Sequence, residues 1–188
     1  MKGKYEMRFT GSGGQGVIMA SVIIAEAAIL SGMNAVQSQS YGPEARGGTS
    51  KAETIISDTE LWFSKVTNPD FLLALTQSSL DTFGMDTGKD CVLLMDKSLR
   101  TPAALPSRRV FALPILATAR ETLGKPMTAN IVAVGAINRL LNLFDEETLC
   151  EAVRHHIPAG TEELNMRALA LGESLAEQAL NHRAKGIA

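Results

Sequence analysis

Apolar and polar positions along the chain sort into short alternating runs, continuous apolar runs and helically spaced stripes. Glu6–Thr10 alternates and reads as a strand. Val17 to Leu30 is an unbroken helix-forming stretch with one charge, Glu26. It predicts a helix from Gln15 to Ser31, with Gly32 as its stop signal. Asn34–Gln37 is expected as a second strand. Ser38–Thr49 has no periodicity and carries Gly42, Pro43, Gly47 and Gly48, so it must be loop or broken helix. Lys51–Ser57 and Glu60–Ser64 read as two strands of a hairpin around Asp58-Thr59. On the second of these, Trp62 and Phe63 should face opposite sides, one buried and one covering the sheet or meeting a partner.

Pro69 and Asp70 introduce the apolar run Phe71–Leu75, followed by a short helix from Gln77 to Phe83. Asp81–Asp90 makes a polar surface turn. Val92–Met95, ending in Asp96, fits a strand buried on both faces, and Val110–Leu113 is the next strand. The remainder reads as helix: Ile115–Leu123, Asn130–Leu143, Glu146–His155 and Glu162–Ala184. In the last of these, Leu164, Ala168, Leu171, Leu175 and Ala179 recur at near-helical spacing. Together these elements predict a single α/β domain over residues 1–188. It is of doubly wound type, with a mostly parallel sheet, a β-hairpin insertion and a helical C-terminal part.

Length supports one domain, since 188 residues suffice for one full core and are short for two. Eighteen basic and twenty acidic residues leave a net charge of -2, which gives no footprint for nucleic acid. The longest apolar run, Val17–Ala25, is interrupted by Ser21 and too short to span a bilayer. No export signal follows the N-terminal lysines, so a cytoplasmic setting is expected. Cys91 and Cys150 stand far apart with no CxxC pairing. That argues against a cluster, a structural zinc or a disulfide in this chain. Both read as small hydrophobes.

The chemistry concentrates in two segments. Gly11-Ser12-Gly13-Gly14-Gln15-Gly16 lies between the first strand and the first helix. Backbone N–H groups at a helix start lack intrahelical partners and suit an anion, a phosphate above all; the glycines could equally serve only a tight turn and close packing. The spacing overlaps a dinucleotide fingerprint. The acidic residue that should follow the second strand is missing, however, because Gln37-Ser38-Gln39-Ser40 stands there. An NAD(P)-dependent oxidoreductase is therefore a weakened alternative. A Walker A reading fails for want of Gly-Lys-Ser/Thr. The second segment, Ser40-Tyr-Gly-Pro-Glu-Ala-Arg-Gly-Gly48, is too rich in special residues for a mere connection. Its Arg46 either braces Glu44 or offers a bidentate fork to a phosphate or a partner carboxylate.

Other candidates read as structural. His155 and His156 are adjacent on a helix and point about 100° apart, a poor arrangement for one metal. Asp96 suits capping or turn formation better than acid–base work. Arg108 and Arg109 read as surface residues.

The two motifs, followed by Lys65-Val-Thr-Asn-Pro-Asp70, resemble the gamma chains of the 2-oxoacid:ferredoxin oxidoreductases, and among them those of the 2-oxoglutarate-using enzymes. The resemblance runs from about Arg8 to His182 and includes Asn130–Asn138 and the acidic turn at Asp145–Glu147. It implies an enzyme that converts a 2-oxoacid, coenzyme A and oxidised ferredoxin to an acyl-CoA, carbon dioxide and reduced ferredoxin. Thiamine diphosphate, magnesium and iron–sulfur clusters are then expected in partner subunits. The implied partners are the alpha and beta subunits, a small ferredoxin-like delta subunit in some members, and ferredoxin. This chain would supply no catalytic residue and no metal ligand. It would assist assembly and contact coenzyme A through Gly11, Ser12, Gly13, Gly14, Gln15, Gly16 and Arg46. The alternative is a free-standing nucleotide- or CoA-binding protein of Rossmann-like fold. Surfaces meant for partners should be apolar and exposed in the isolated chain, where they would favour a homodimer. The Ser40–Gly48 loop, the Trp62 region and the outer side of the Asn130–Leu143 helix are the places expected, unless the last helix buries that side.

Overall fold

A computed structural model describes residues 3–41 and 49–185, Tyr41 by its backbone alone. The first strand, β1 (Lys4–Ser12), is longer than its alternating centre. Its length comes from β3 (Thr49–Ser57), which pairs with it antiparallel along its whole length, from Lys4 opposite Ser57 to Ser12 opposite Thr49. Helix α1 (Val17–Leu30) follows the glycine turn, and β2 (Asn34–Tyr41) lies antiparallel on the far side of β3. Beyond β1 come β4 (Phe71–Ala74), β5 (Val92–Asp96) and β6 (Arg109–Leu113), all parallel to it. The described residues thus form a six-stranded sheet of order β2-β3-β1-β4-β5-β6, in which β3 alone runs against the rest. The expected α/β architecture is present.

The hairpin is present too, but other strands make it. β2 and β3 are its arms, and Glu60–Ser64 is not a strand. Both edges of β3 are already occupied, by β1 and β2, so Glu60–Ser64 cannot pair with it as a second hairpin arm. The chain instead crosses the sheet face as an extended strap. Val66 is buried beneath it, while Trp62 and Phe63 are 79% and 76% exposed. The expectation that one of these aromatics would be buried is therefore overturned.

Two apolar layers follow from the parallel strands. Val92 and Leu94 of β5 face a large core with Phe9 of β1 and Ile23 of α1, whereas Leu93 and Met95 face a smaller one with Leu72 and Leu80. Helix α2 (Gln77–Phe83) covers the smaller core; its N-cap Thr76 accepts a hydrogen bond from Ser79 N–H. The expected Ile115–Leu123 helix begins as α3 (Ile115–Ala117) and continues as a π-turn over Thr118–Thr122.

Helix α4 (Ala129–Leu141) is buried nearly all round, with Arg139 exposed, and α6 (Glu162–Ala184) lies across it. The apolar side of α4 is covered by α6 and is not a free surface. The crossing is close because glycines meet there. A Cβ on Gly135 would fall 2.1 Å from Leu169 O, and one on Gly172 would fall 1.9 Å from Val132 O.

Helix α5 (Glu146–His156) is capped by Asp145, which accepts from Thr148 N at 2.8 Å. Its two terminal histidines reach one acceptor: His155 Nδ1 and His156 Nε2 bond the two carboxylate oxygens of Glu26 on α1. Burial pushes the Glu26 pKa up, but hydrogen bonds and charges from both histidines outweigh it, and the net shift is downward from 4.5. A carboxyl depressed in the folded state contributes stability above its ordinary pKa and loses it as pH falls through the folded value. Glu26→Gln should therefore cost about 1 kcal/mol at neutral pH. The gap between the two proteins should close as the solution is acidified below the ordinary carboxylate range. Denaturant titrations from pH 7 downward check this; a gap independent of pH would reduce the contact to packing.

Candidate functional site

The chain leaves β1 through α1 toward β2 on one side and leaves β4 through α2 toward β5 on the other. The crevice at the C-terminal ends of β1 and β4 is thus the switch point of the sheet, where open α/β folds place ligands. The glycine turn occupies it. Gly14 and Gly16 have φ of +90° and +72°, left-handed conformations that side chains resist. A Cβ on Gly14 would meet no atom within 4 Å, so the turn is open there. Gly11 has no such room: a Cβ would lie 2.6 Å from Gln15 Oε1.

Gln15 holds the turn in shape. Its Oε1 accepts from Ser12 N at 2.8 Å, and its Nε2 donates to Leu75 O at 3.4 Å, bridging the turn to the end of β4. Gly16 is the N-cap of α1 and offers no side-chain acceptor, and the first turn of the helix holds no acidic residue. The positive end of the helix is therefore left without a compensating group from its own segment. Beside it lies a recess of about 220 Å³ lined by Ser12, Gly13, Gly14, Gly16, Val17, Ile18 and Ser50. Sequence reasoning missed Ser50, which only the pairing of Gly11 with Ser50 brings to the turn. It also missed Asn130, whose side chain packs against Gly16. No local pattern could have found either residue.

Glu44 and Arg46 fall within residues 42–48, outside the described residues. The flanking strands end at Tyr41 and Thr49, and Thr49 pairs with Ser12 of the turn. Among the other candidates, Asp96 is buried and fully engaged. Its Oδ1 accepts from Ser98 N at 2.9 Å and Ser98 Oγ at 2.6 Å, and its Oδ2 accepts from Leu116 N at 2.8 Å. It caps the next segment, as expected. Arg108 and Arg109 are exposed. Burial, then the charge of Asp70, pushes the Cys91 pKa up to about 12, so it stays a neutral thiol. Among the described residues, no group of three or more His, Cys, Asp or Glu side chains could hold a metal ion.

The dinucleotide alternative meets a second obstacle here. In such folds the ribose-binding carboxylate stands on the strand next to β1. Here β3 is inserted, so the end of β2 lies two strands from the turn.

Residues 6–175 match the family described as pyruvate ferredoxin/flavodoxin oxidoreductase. The chain belongs to this family. It is 41% identical over 181 residues to the 2-oxoglutarate synthase subunit KorC of Methanocaldococcus jannaschii, covering 95% of this chain and 97% of that one. The crystal structure of the keto/oxoacid ferredoxin oxidoreductase gamma subunit from Geobacter sulfurreducens PCA superimposes with a TM-score of 0.82 at 44% identity, covering 93% and 99% of the two chains. The 2-oxoglutarate:ferredoxin oxidoreductase from Magnetococcus marinus shares the fold at 23% identity, with a TM-score of 0.83. There the match covers 95% of this chain and 32% of the longer one. The chain is thus a gamma-type subunit of a 2-oxoacid:ferredoxin oxidoreductase, as its motifs suggested. Among its described residues, no helix is long and apolar enough to cross a membrane.

Proposed function

We propose that this subunit serves a 2-oxoglutarate-oxidising enzyme and holds coenzyme A by its diphosphate at the glycine turn. The observation that carries the reading is the unneutralised N-terminus of α1, opening on a glycine-lined recess at the switch point of the sheet. A recess of about 220 Å³ is of phosphate scale and accommodates the charged part of coenzyme A, not the whole molecule. Ser12, Gly13, Gly14 and Gly16 would line that contact, Gln15 would keep the turn in shape, and Arg46 would add a bidentate clamp. Coenzyme A supplies the thiol that receives the acyl group. The 2-oxoglutarate assignment is supported by similarity to the KorC subunit, over nearly the full length of both chains.

Thiamine diphosphate goes with magnesium and iron–sulfur clusters in this reading, and neither the metal nor the clusters fit the side chains described here. The two cysteines are separate, and no described acidic or histidine group is arranged for a metal. These groups belong to the alpha and beta subunits in this reading. A delta subunit and ferredoxin complete the electron path. The exposed Trp62 and Phe63 on the strap are surface for such partners to cover.

The test combines co-purification with kinetics. The native chain should be isolated with larger partner chains, and the assembly should make succinyl-CoA. Arg46→Ala should leave the fold intact but raise the KM for coenzyme A or weaken assembly, by about 1.5–3 kcal/mol for a lost charged hydrogen bond. A chain that purifies alone, with no effect on acyl-CoA synthesis when removed, would refute the complex. Normal assembly and unchanged coenzyme A kinetics in Arg46→Ala would remove Arg46 from the site and leave the local brace to Glu44.

A further inference from the structure

The two edges of the sheet are finished differently. Strand β6 carries the exposed Arg109, and Arg183 of α6 reaches its start, donating through Nη2 to Arg108 O at 2.8 Å. No such device stands at β2. Its pairing with β3 runs without a bulge from Asn34 opposite Ser57 to Tyr41 opposite Ser50. Among the described residues, no backbone hydrogen bond leaves its outer side, and Asn34, Gln39 and Ser40 are exposed. Free edges are ordinarily blunted by lysine, proline or a bulge, because a row of open N–H and C=O groups accepts another strand. Asn34–Tyr41 has none of these and no charge of either sign.

A strand that meets its own copy across a twofold axis is antiparallel to it by symmetry, and every side chain along such a seam faces the same uncharged set. The nearest acid does not oppose the pairing. Glu60 lies beside Asn34, so its counterpart would stand a strand length away, about 23 Å and well beyond the Debye length of ~8 Å. The strap gives the edge depth. Asn34, Ala35, Val36, Glu60, Leu61 and Trp62 line a recess of about 350 Å³ beside the first half of β2. Antiparallel pairing lays the second half of the other strand along that recess. We propose that β2 joins β2 of a second copy of this chain, making one continuous sheet in which Trp62 of each copy closes over the other's strand. Trp62 is 79% exposed in the single chain, and two such rings supply about 300–500 Å² of buried surface. A specific interface begins at roughly 1,200 Å², so the two eight-residue strands must supply the remainder, roughly 50 Å² per residue. The dimer is accordingly a small one with a concentration-dependent equilibrium. It is independent of what the glycine turn binds, and it leaves Phe63 for the other subunits to cover.

Sedimentation of the full chain across the micromolar range should show monomer and dimer in exchange. Gln39→Lys gives β2 the charged edge that free strands carry, at an exposed position, and should raise the dissociation constant at least about tenfold with the thermal midpoint unchanged. Trp62→Ser removes the closing ring from an irregular segment that no ladder depends on, and should weaken the dimer by about tenfold as well. Amide hydrogen exchange locates the seam: the N–H groups of Val36–Gln39 should exchange more slowly in the concentrated wild-type chain than in the dilute one, and Gln39→Lys should abolish the difference. A chain that stays monomeric throughout would overturn the pairing. So would a dimer unmoved by both substitutions, which would lie on another surface. Protection of β2 that depends on co-expressed alpha and beta subunits, at a concentration where the chain alone shows none, would hand the edge to them and end the second-copy assignment.

Discussion

Gly172→Ala is expected to destabilise the chain by about 3 kcal/mol or more, toward the upper end of what overpacking a core produces. The added methyl would sit 1.9 Å from Val132 O and 2.9 Å from Ala136 N, both backbone atoms of α4, so no side-chain rotation relieves it. The helices would have to separate, and α4 is the central helix of the main core, with Val132, Ala133, Ala136 and Ile137 fully buried. Gly135→Ala should behave alike, since its methyl would meet Leu169 O at 2.1 Å. Alanine is otherwise the better helix former by roughly 1 kcal/mol, so a loss in both variants must come from the crossing. Thermal or urea unfolding of the two variants decides the matter, and a stabilised Gly172→Ala would mean the helices do not touch as described.

The second large effect is expected at the buried charge pair between β1 and β3. Arg8 and Glu53 face each other across the strands, with side chains 7% and 5% exposed. Arg8 Nε donates to Glu53 Oε1 at 2.9 Å, and Nη2 donates to Val66 O at 3.0 Å. The third nitrogen, Nη1, makes no hydrogen bond and lies 3.7 Å from the exposed Asp86 carboxylate. The Phe83 ring stands 5.5 Å from the guanidinium carbon. Lys51 Nζ also reaches Glu53, at 3.2 Å, but it is partly exposed and can turn to water. Glu53→Ala leaves the Arg8 charge buried with little to balance it, and should cost about 3–5 kcal/mol. Replacing both partners, Arg8→Met with Glu53→Leu, should recover most of that, because the desolvation of the pair disappears with it. Urea titration of the single and double variants tests this. A double variant no better than the single would show that the loss lies in packing rather than charge.

These two effects belong to parts of the molecule with different legibility. The runs Phe71–Leu75 and Val92–Asp96 announce themselves as central strands, since a strand covered on both faces needs apolar residues at consecutive positions. The stripe of Leu and Ala bounds helix α6 at Glu162 and Ala184, and the structure keeps both ends. The glycine turn was readable because a strand, three spaced glycines and an apolar helix constrain one another within thirty residues. What the local pattern could not hold was neighbourhood. Glu60–Ser64 has strand-like composition, yet it forms none, because β1 and β2 had already taken both edges of β3. The uncharged surface of α4 reads either as an interface or as the seat of the last helix, and only the fold shows that α6 covers it.

The site divides the same way. Sequence alone determined that a glycine turn lies between the first strand and helix, where the leading N–H groups have no intrahelical partner, because N–H direction at a helix start is a property of the local backbone. Only the tertiary structure decided that Ser50 and Asn130 stand beside it, because strand register and helix approach join residues far apart in the chain. The same holds for His155 and His156, whose side chains diverge on an isolated helix and yet share the carboxylate of Glu26. Local periodicity sets which face of an element is apolar; which partner covers it depends on volume, edge availability and charge pairing, and these exist only once the chain has folded.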